Sequence, residues 1–184
     1  MFIIEKDPKS IAAESYRTLR TSIQYSSFDK EVQVIVITSA EPGEGKSTTA
    51  GNLALALAQD GKNVILIDCD LRKPSLHKIF NMSNLIGLSD VVIGKTDLIT
   101  ASHQYNENLL VLTSGKIPPN PSEMLSSKIM EEVLDTLKEN FDYIILDTPP
   151  ILAVTDSQIL STKADGTILV VKAEKTKKDL VKNS

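Results

Sequence analysis

Apolar residues along the chain gather in short runs separated by longer stretches of helical spacing. Val34 to Thr38, Val64 to Ile67, Asn108 to Ser114, Asp142 to Asp147 and Gly166 to Lys172 are five such runs. Their apolar positions are continuous rather than alternating, which suits parallel strands covered on both faces. Between them the spacing predicts helices over about 11–25, 46–59, 75–80, 123–139 and 155–163, small helical pieces within 85–102, and a basic helix from Lys175 to Asn183. Ser10 is placed to cap the first helix, Asp60-Gly61 to stop the second, and Ser122 to open the fourth. Residues 1–9 read as an extended lead, because Pro8 disfavours helix at Asp7. Strands alternating with helices build right-handed crossovers, so the expected fold is α/β, a mostly parallel sheet with helices on both faces. No repeat or linker divides the 184 residues, and a single domain over 1–184 is expected, with 1–30 as an N-terminal extension.

The first strand leads into candidate chemistry. Gln33 to Leu55 reads QVIVITSAEPGEGKSTTAGNLAL, a β-branched strand, a Gly/Pro loop and an Ala/Leu-rich helix opened by Lys-Ser-Thr-Thr. Such a junction collects anions, since loop amides and the unpaired N–H groups of the first helical turn aim at one point together with the positive end of the helix dipole. The wording is that of a P-loop, GxxxxGK[ST], with Gly45, Lys46 and Ser47 in the last three positions and Ala40 where the first glycine usually stands. Lys46 is placed to reach β and γ phosphate oxygens and Ser47 to ligate Mg²⁺. The expected fold is therefore of the P-loop NTPase kind.

Two further strands end in acids. Asp68-Cys-Asp70-Leu-Arg-Lys-Pro follows the second run, and Asp147-Thr-Pro-Pro follows the fourth. Carboxylates at the exits of parallel strands lie at the crevice where ligands sit in open α/β sheets. Asp68 and Asp70 are candidates for Mg²⁺ binding or proton transfer, and Asp147 has the form of a Walker-B carboxylate sharing the metal with Ser47. Glu14, Arg17 and Arg20, three residues apart on the first helix, form an edge capable of ion pairs.

Composition narrows the classes. A net charge of -4 leaves no basic excess for binding nucleic acid. One cysteine, Cys69, excludes a disulfide framework and reads as a core residue. His77 has only His103 as a second histidine, without metal spacing, so it reads as a packing or surface residue. No signal peptide and no run of about 18 apolar residues is present, which predicts a chain that does not insert itself in a membrane.

Four stretches resemble one family. TSAEPGEGKSTTAGNLA, ILIDCDLRKP, LTSGKIPPNPSEML and DYIILDTPP, within residues 38–150, are similar to the catalytic domain of bacterial tyrosine kinases that regulate capsule and exopolysaccharide export. The resemblance implies that Gly43, Glu44, Gly45, Lys46, Ser47 and Thr48 hold the phosphates of ATP, with Mg²⁺ on Ser47, Asp68 and Asp147. It implies catalytic roles for Lys46, Asp68, Asp70 and Asp147, one of Asp68 and Asp70 accepting the tyrosine proton. Glu14, Arg17 and Arg20 match the ExxRxxR element through which relatives associate into rings. A membrane-embedded activator of the polysaccharide co-polymerase type, protein tyrosine substrates and a cytoplasmic location at the membrane are further implications.

The tyrosine-rich tail common in relatives, and the last strand and helix of the family, are expected to be missing from this chain. Tyr16, Tyr25 and Tyr105 remain as candidate acceptors, with Tyr143 in a predicted buried strand. Two other functions fit the motifs. One is an ATPase switch of the ParA/MinD partitioning type, although such proteins carry a second lysine where this chain has Glu41. The other is a non-catalytic ATP-binding module of the export machinery.

Overall fold

In the computed structural model, residues 2–26, 32–182 and 184 are described; the expected last helical residue, Asn183, and the end of the 1–30 extension lie outside them. In chain order the elements are α1 (Ile3–Lys6), α2 (Ile11–Gln24), β1 (Val34–Ser39), α3 (Lys46–Gln59), β2 (Val64–Asp68), α4 (Leu76–Ile79), α5 (Leu88–Val92) and α6 (Leu98–Ala101). They continue with β3 (Ser102–Asn106), β4 (Leu109–Leu112), α7 (Pro121–Ser126), α8 (Lys128–Lys138), β5 (Tyr143–Asp147), α9 (Asp156–Ser161), β6 (Gly166–Val170) and α10 (Lys178–Lys182).

The strands form one sheet in the order β3-β4-β2-β5-β1-β6. All neighbours are parallel except β3 and β4. Strand alternation sorts the core into two layers. Ile35, Ile37, Leu66 and Ile145 pack with Leu53, Leu55 and Leu57, while Val34, Val36, Ile65, Ile67 and Ile144 pack with Leu88, Met130, Leu134 and Leu160. The sheet is therefore covered on both faces, as the continuous apolar runs require.

Four expectations are corrected. Residues 1–9 are not simply extended, because α1 makes one helical turn fastened to α3. Phe2 is 3% exposed and its ring fills the space that a Cβ on Gly51 would occupy, 2.1 Å from where that atom would stand. The Ile4 amide donates to Oδ1 of the buried Asn52 at 3.1 Å. Second, the sheet has six strands, since β3, an antiparallel edge strand of sequence Ser-His-Gln-Tyr-Asn, carries no apolar run. Third, the helix expected over 123–139 breaks at Ser127, whose extended backbone (φ -64, ψ 154) ends α7 and whose hydroxyl accepts from the Met130 amide to cap α8. The predicted burial of Tyr143 is also only partial.

On α2, Glu14 and Arg17 pair at 2.9 Å, but Arg20 turns from them toward α3. Its guanidinium donates to the Ala56 carbonyl at 3.1 Å and lies 3.3 Å from the Asp60 carboxylate. The three residues thus form an exposed pair and a separate docking contact between helices.

Candidate active site

β2 and β5 end at one level, and β1 runs two residues further, to Ser39. Ile37 and Asp68 are both Cα partners of Asp147, so the acidic end of β5 lies between the strand that feeds the P-loop and the acidic end of β2. Thr38 and Thr148 fix this rim, the Thr38 hydroxyl donating to the Pro149 carbonyl at 2.8 Å and the Thr148 hydroxyl to the Ile37 carbonyl at 3.0 Å.

The loop after β1 turns through Gly43 (φ 79) and Gly45 (φ 99), both in the left-handed region that glycine enters without strain. Gly45 is the N-cap of α3 and offers no side-chain acceptor, so the first-turn amides of Lys46, Ser47 and Thr48 have no partner within the helix. A Cβ built on Gly45 would meet nothing within 4 Å. The loop encloses open space rather than packed protein. That space is a cleft of roughly 590 Å³, lined on one side by Gly43, Gly45, Lys46, Ser47 and Thr48, on another by Asp70, Lys73 and Ser75, and closed by Pro149, Pro150 and Val154.

Lys46 extends across the cleft. Its ammonium lies 3.1 Å from Asp70 and 4.0 Å from Asp147. The Ser47 hydroxyl accepts from Ser75 at 2.9 Å. Asp147 is fully buried, and neither of its carboxylate oxygens has a hydrogen-bond partner among the described residues. Burial pushes its pKa up to about 7, opposed by the charge of Lys46 and the nearby Ser47 hydroxyl.

Asp68 is buried as well, yet fully engaged. Its Oδ2 accepts from the Ser75 and Leu76 amides at 3.0 and 2.9 Å, and its Oδ1 from the Asp70 amide at 3.2 Å. Burial lifts its pKa to about 6 in spite of those donors. Asp70 faces the cleft, with one oxygen on Lys46 and the other accepting from the Lys73 amide at 3.0 Å. The acids predicted together are brought together, but Asp68 shapes the loop while Asp70 lines the cavity.

Glu44 differs from its neighbours in the loop. Its carboxylate turns back to accept from the Glu41 amide at 3.0 Å and from the Thr176 hydroxyl, and its side chain is not part of the cleft wall. Burial tends to raise its pKa, but the hydrogen bonds from Glu41, Thr176 and other backbone groups outweigh that and hold it below the usual value.

Two contributors escaped the sequence reading. Asp156, 0% exposed at the start of α9, takes a two-point contact from Arg72 at 2.9 and 3.1 Å and a bond from Ser122 at 2.7 Å. Burial raises its pKa, and the Arg72 and Ser122 hydrogen bonds more than reverse this. Ser75 joins β2's loop to the P-loop helix. Neither has a local motif, since both depend on segments distant in sequence meeting at the rim.

Mg²⁺ fits this site. A buried carboxylate without a hydrogen bond beside a P-loop hydroxyl is an arrangement that a hard, oxygen-seeking cation relieves. Among the described residues no three acidic, His or Cys side chains converge into a closed metal cage.

With the geometry established, similarity to known proteins identifies the chain. The AAA domain family matches residues 32–180. Tyrosine-protein kinase YwqD of Bacillus subtilis (strain 168) is 52% identical over 174 residues, covering 94% of this chain and 73% of that protein. The chain belongs to the bacterial tyrosine-protein kinase family.

Solved structures agree. The kinase domain of the Escherichia coli tyrosine kinase ETK superposes with a TM-score of 0.95 at 34% identity, covering 100% of this chain and 72% of that one. The septum site-determining protein MinD from Pyrococcus horikoshii OT3, complexed with Mg-ADP, reaches a TM-score of 0.63 at 28% identity and covers 75% of this chain and 57% of its own. The kinase thus shares its fold with MinD, but is much nearer to tyrosine kinases in both sequence and shape. Among its described residues no helix is long and apolar enough to cross a membrane.

Proposed function

We propose that this kinase transfers the γ-phosphoryl group of MgATP to protein tyrosine, in the service of capsular or exopolysaccharide synthesis and export. The observation that carries the reading is the buried Asp147 carboxylate, without a hydrogen bond among the described residues, beside Lys46 and Ser47 at the mouth of a P-loop.

The amides of residues 43–48 hold the phosphates, with the Glu44 backbone taking part while its side chain braces the loop. Lys46 exchanges Asp70 for β and γ oxygens, which frees Asp70 toward the cleft. Ser47, Asp147 and the Asp68 side of the rim would hold Mg²⁺, whose charge offsets that of the phosphates during transfer. The tyrosine oxygen attacks the γ phosphorus, the bond from that phosphorus to the β–γ bridging oxygen breaks, and ADP departs. The phenolic proton passes to a carboxylate of the Asp68/Asp70 pair. Most of the rate then comes from positioning and charge neutralisation rather than covalent chemistry.

Of Glu14, Arg17 and Arg20, the first two serve self-association into a ring in this reading, through their exposed pair, while Arg20 docks α2 on α3. A membrane-embedded activator holds the kinase at the cytoplasmic face of the membrane. Tyr25, 77% exposed, is the most accessible of the candidate acceptors, whereas the Tyr105 hydroxyl is bound to Glu5 at 2.8 Å.

The test is transfer from γ-labelled ATP to a tyrosine peptide, with and without the cytoplasmic tail of an activator, and with Lys46→Met as control. Phosphotyrosine that disappears in Lys46→Met is expected. Phosphate release without phosphotyrosine would favour the ATPase switch, and binding without turnover the regulatory module.

A further inference from the structure

Beside the nucleotide cleft, and sharing Arg72, Lys73 and Ser75 with it, lies an open groove of roughly 720 Å³. One wall is the segment that leads into α4, and the other is the turn at Gly115, Lys116 and Ile117. Asn84 braces that turn, donating to the Gly115 carbonyl and accepting from the Gly115 amide, each at 3.0 Å.

The groove is basic without relief. Lys73, Lys78 and Lys116 line it, and no aspartate or glutamate does. Among the described residues none of these three lysines takes part in an ion pair. Arg72 is the exception, committed to Asp156. His77 adds little charge, because burial and the neighbouring Lys78 lower its pKa. In a chain of net charge -4, three unneutralised lysines facing one cavity are a local reversal of sign. Ile117, 63% exposed, adds an apolar contact at the rim.

We propose that this groove binds an acidic polypeptide segment flanking the acceptor tyrosine. The inference rests on the phosphotransfer reading and adds a substrate class to it. Because Lys73 and Ser75 belong to both cavities, a chain lying in the groove continues into the cleft where Lys46 and Asp70 stand. In an extended segment alternate side chains point the same way, so acidic residues at every second position meet the lysines while the tyrosine turns inward. The overall negative charge argues against a nucleic acid as occupant.

The test uses two peptides of equal length around one tyrosine, flanked by glutamates in one and glutamines in the other. Binding to the whole chain with MgADP is read by fluorescence anisotropy, and transfer from MgATP is read separately. The glutamate peptide should bind about five- to tenfold more tightly at low salt, the sum of a few exposed ion pairs, and the preference should fade as salt is added. Lys78→Glu with Lys116→Glu should abolish or invert the preference while MgADP affinity is unchanged. Lys78→Gln with Lys116→Gln serves as a milder second variant, with thermal melting to confirm folding.

Equal affinity for the two peptides, or a preference that survives both double variants, overturns the proposal. Selective binding of the glutamate peptide with no phosphotyrosine on either, with the activator's cytoplasmic tail also supplied, would sink the kinase reading and leave the groove standing. Phosphorylation of both peptides with the same KM would do the reverse.

Discussion

Asp68 and Asp147 end adjacent parallel strands as Cα partners, and their carboxylates are satisfied in opposite ways. Asp68 accepts three backbone amides, whereas Asp147 accepts nothing among the described residues. Protein donors have already stabilised one charge. The other waits for a cation.

That contrast predicts a pH dependence. Both pKa values are raised by burial, to about 6 and about 7, so the folded chain holds protons that the unfolded chain has released. Stability from these groups is complete below the ordinary carboxylate pKa and is lost as pH rises from about 4 through about 7. Without nucleotide, thermal melting should fall over that range, and Asp147→Asn should flatten the fall. At pH 8 the variant should melt on the order of 3 °C higher than the unaltered chain, yet gain less than it from Mg²⁺ with nucleotide. A steeper fall in Asp147→Asn would contradict this assignment.

Lys46 is placed to act on the transferring phosphate. Lys46→Met should lower the rate of transfer by about 10²–10³-fold, the usual loss when one preorganised charge donor is removed. The variant should still fold, because Lys46 contacts only cleft carboxylates. Single-turnover transfer alongside circular dichroism separates the two effects.

Gly45 gives a different signature. Alanine there meets no protein atom but must hold φ 99, so a stability loss of about 1–2 kcal/mol is expected from backbone strain. The added methyl also enters the space reserved for phosphate, so ADP affinity measured by calorimetry should fall along with stability. Unchanged affinity would mean that phosphate does not approach this backbone.

Arg72 secures the rim from outside. Removing it by Arg72→Ala leaves Asp156 buried with Ser122 as its remaining side-chain donor. A cost of about 2 kcal/mol in denaturant unfolding is expected, below that of breaking a fully buried pair because the Arg72 side chain is 39% exposed. Arg72→Lys should recover only part of it, since an ammonium cannot reproduce the two-point contact.

The two arginines of α2 should separate by experiment. Arg17→Glu breaks an exposed pair and an exposed bond to the Pro8 carbonyl, and should reduce self-association in sedimentation with a smaller change in melting temperature than Arg20→Ala. Arg20→Ala removes a link between α2 and α3 and should lower melting by a few degrees even in a monomer. Equal effects on association and melting from both would remove the distinction.

The sequence revealed what depends on local order. The P-loop, the strand-end acids and α3 from Lys46 to Gln59 were legible because backbone requirements and hydrophobic period act within a few residues. What escaped depends on distant meetings. Nothing near Asp156 marks it as the partner of Arg72, and nothing near Asn52 shows that it will hold the amide of Ile4. Nor does spacing foretell that Arg20 leaves its helical stripe for α3, or that Glu44 turns out of the cleft toward Thr176. β3 was hidden for another reason: an edge strand exposed to water need carry no continuous apolar run.

That edge strand has a consequence for how the molecule behaves in a crowd. β4 is apolar, with Leu109, Val111 and Leu112 fully buried, and on its own it would offer a greasy, unpaired border to any passing strand. β3 runs against it in the opposite direction and presents His103, Gln104 and Asn106 in its place. An antiparallel polar border is a poor template for stacking further copies. At this end of the sheet the chain guards itself against amyloid-like growth, and controlled assembly is left to other surfaces.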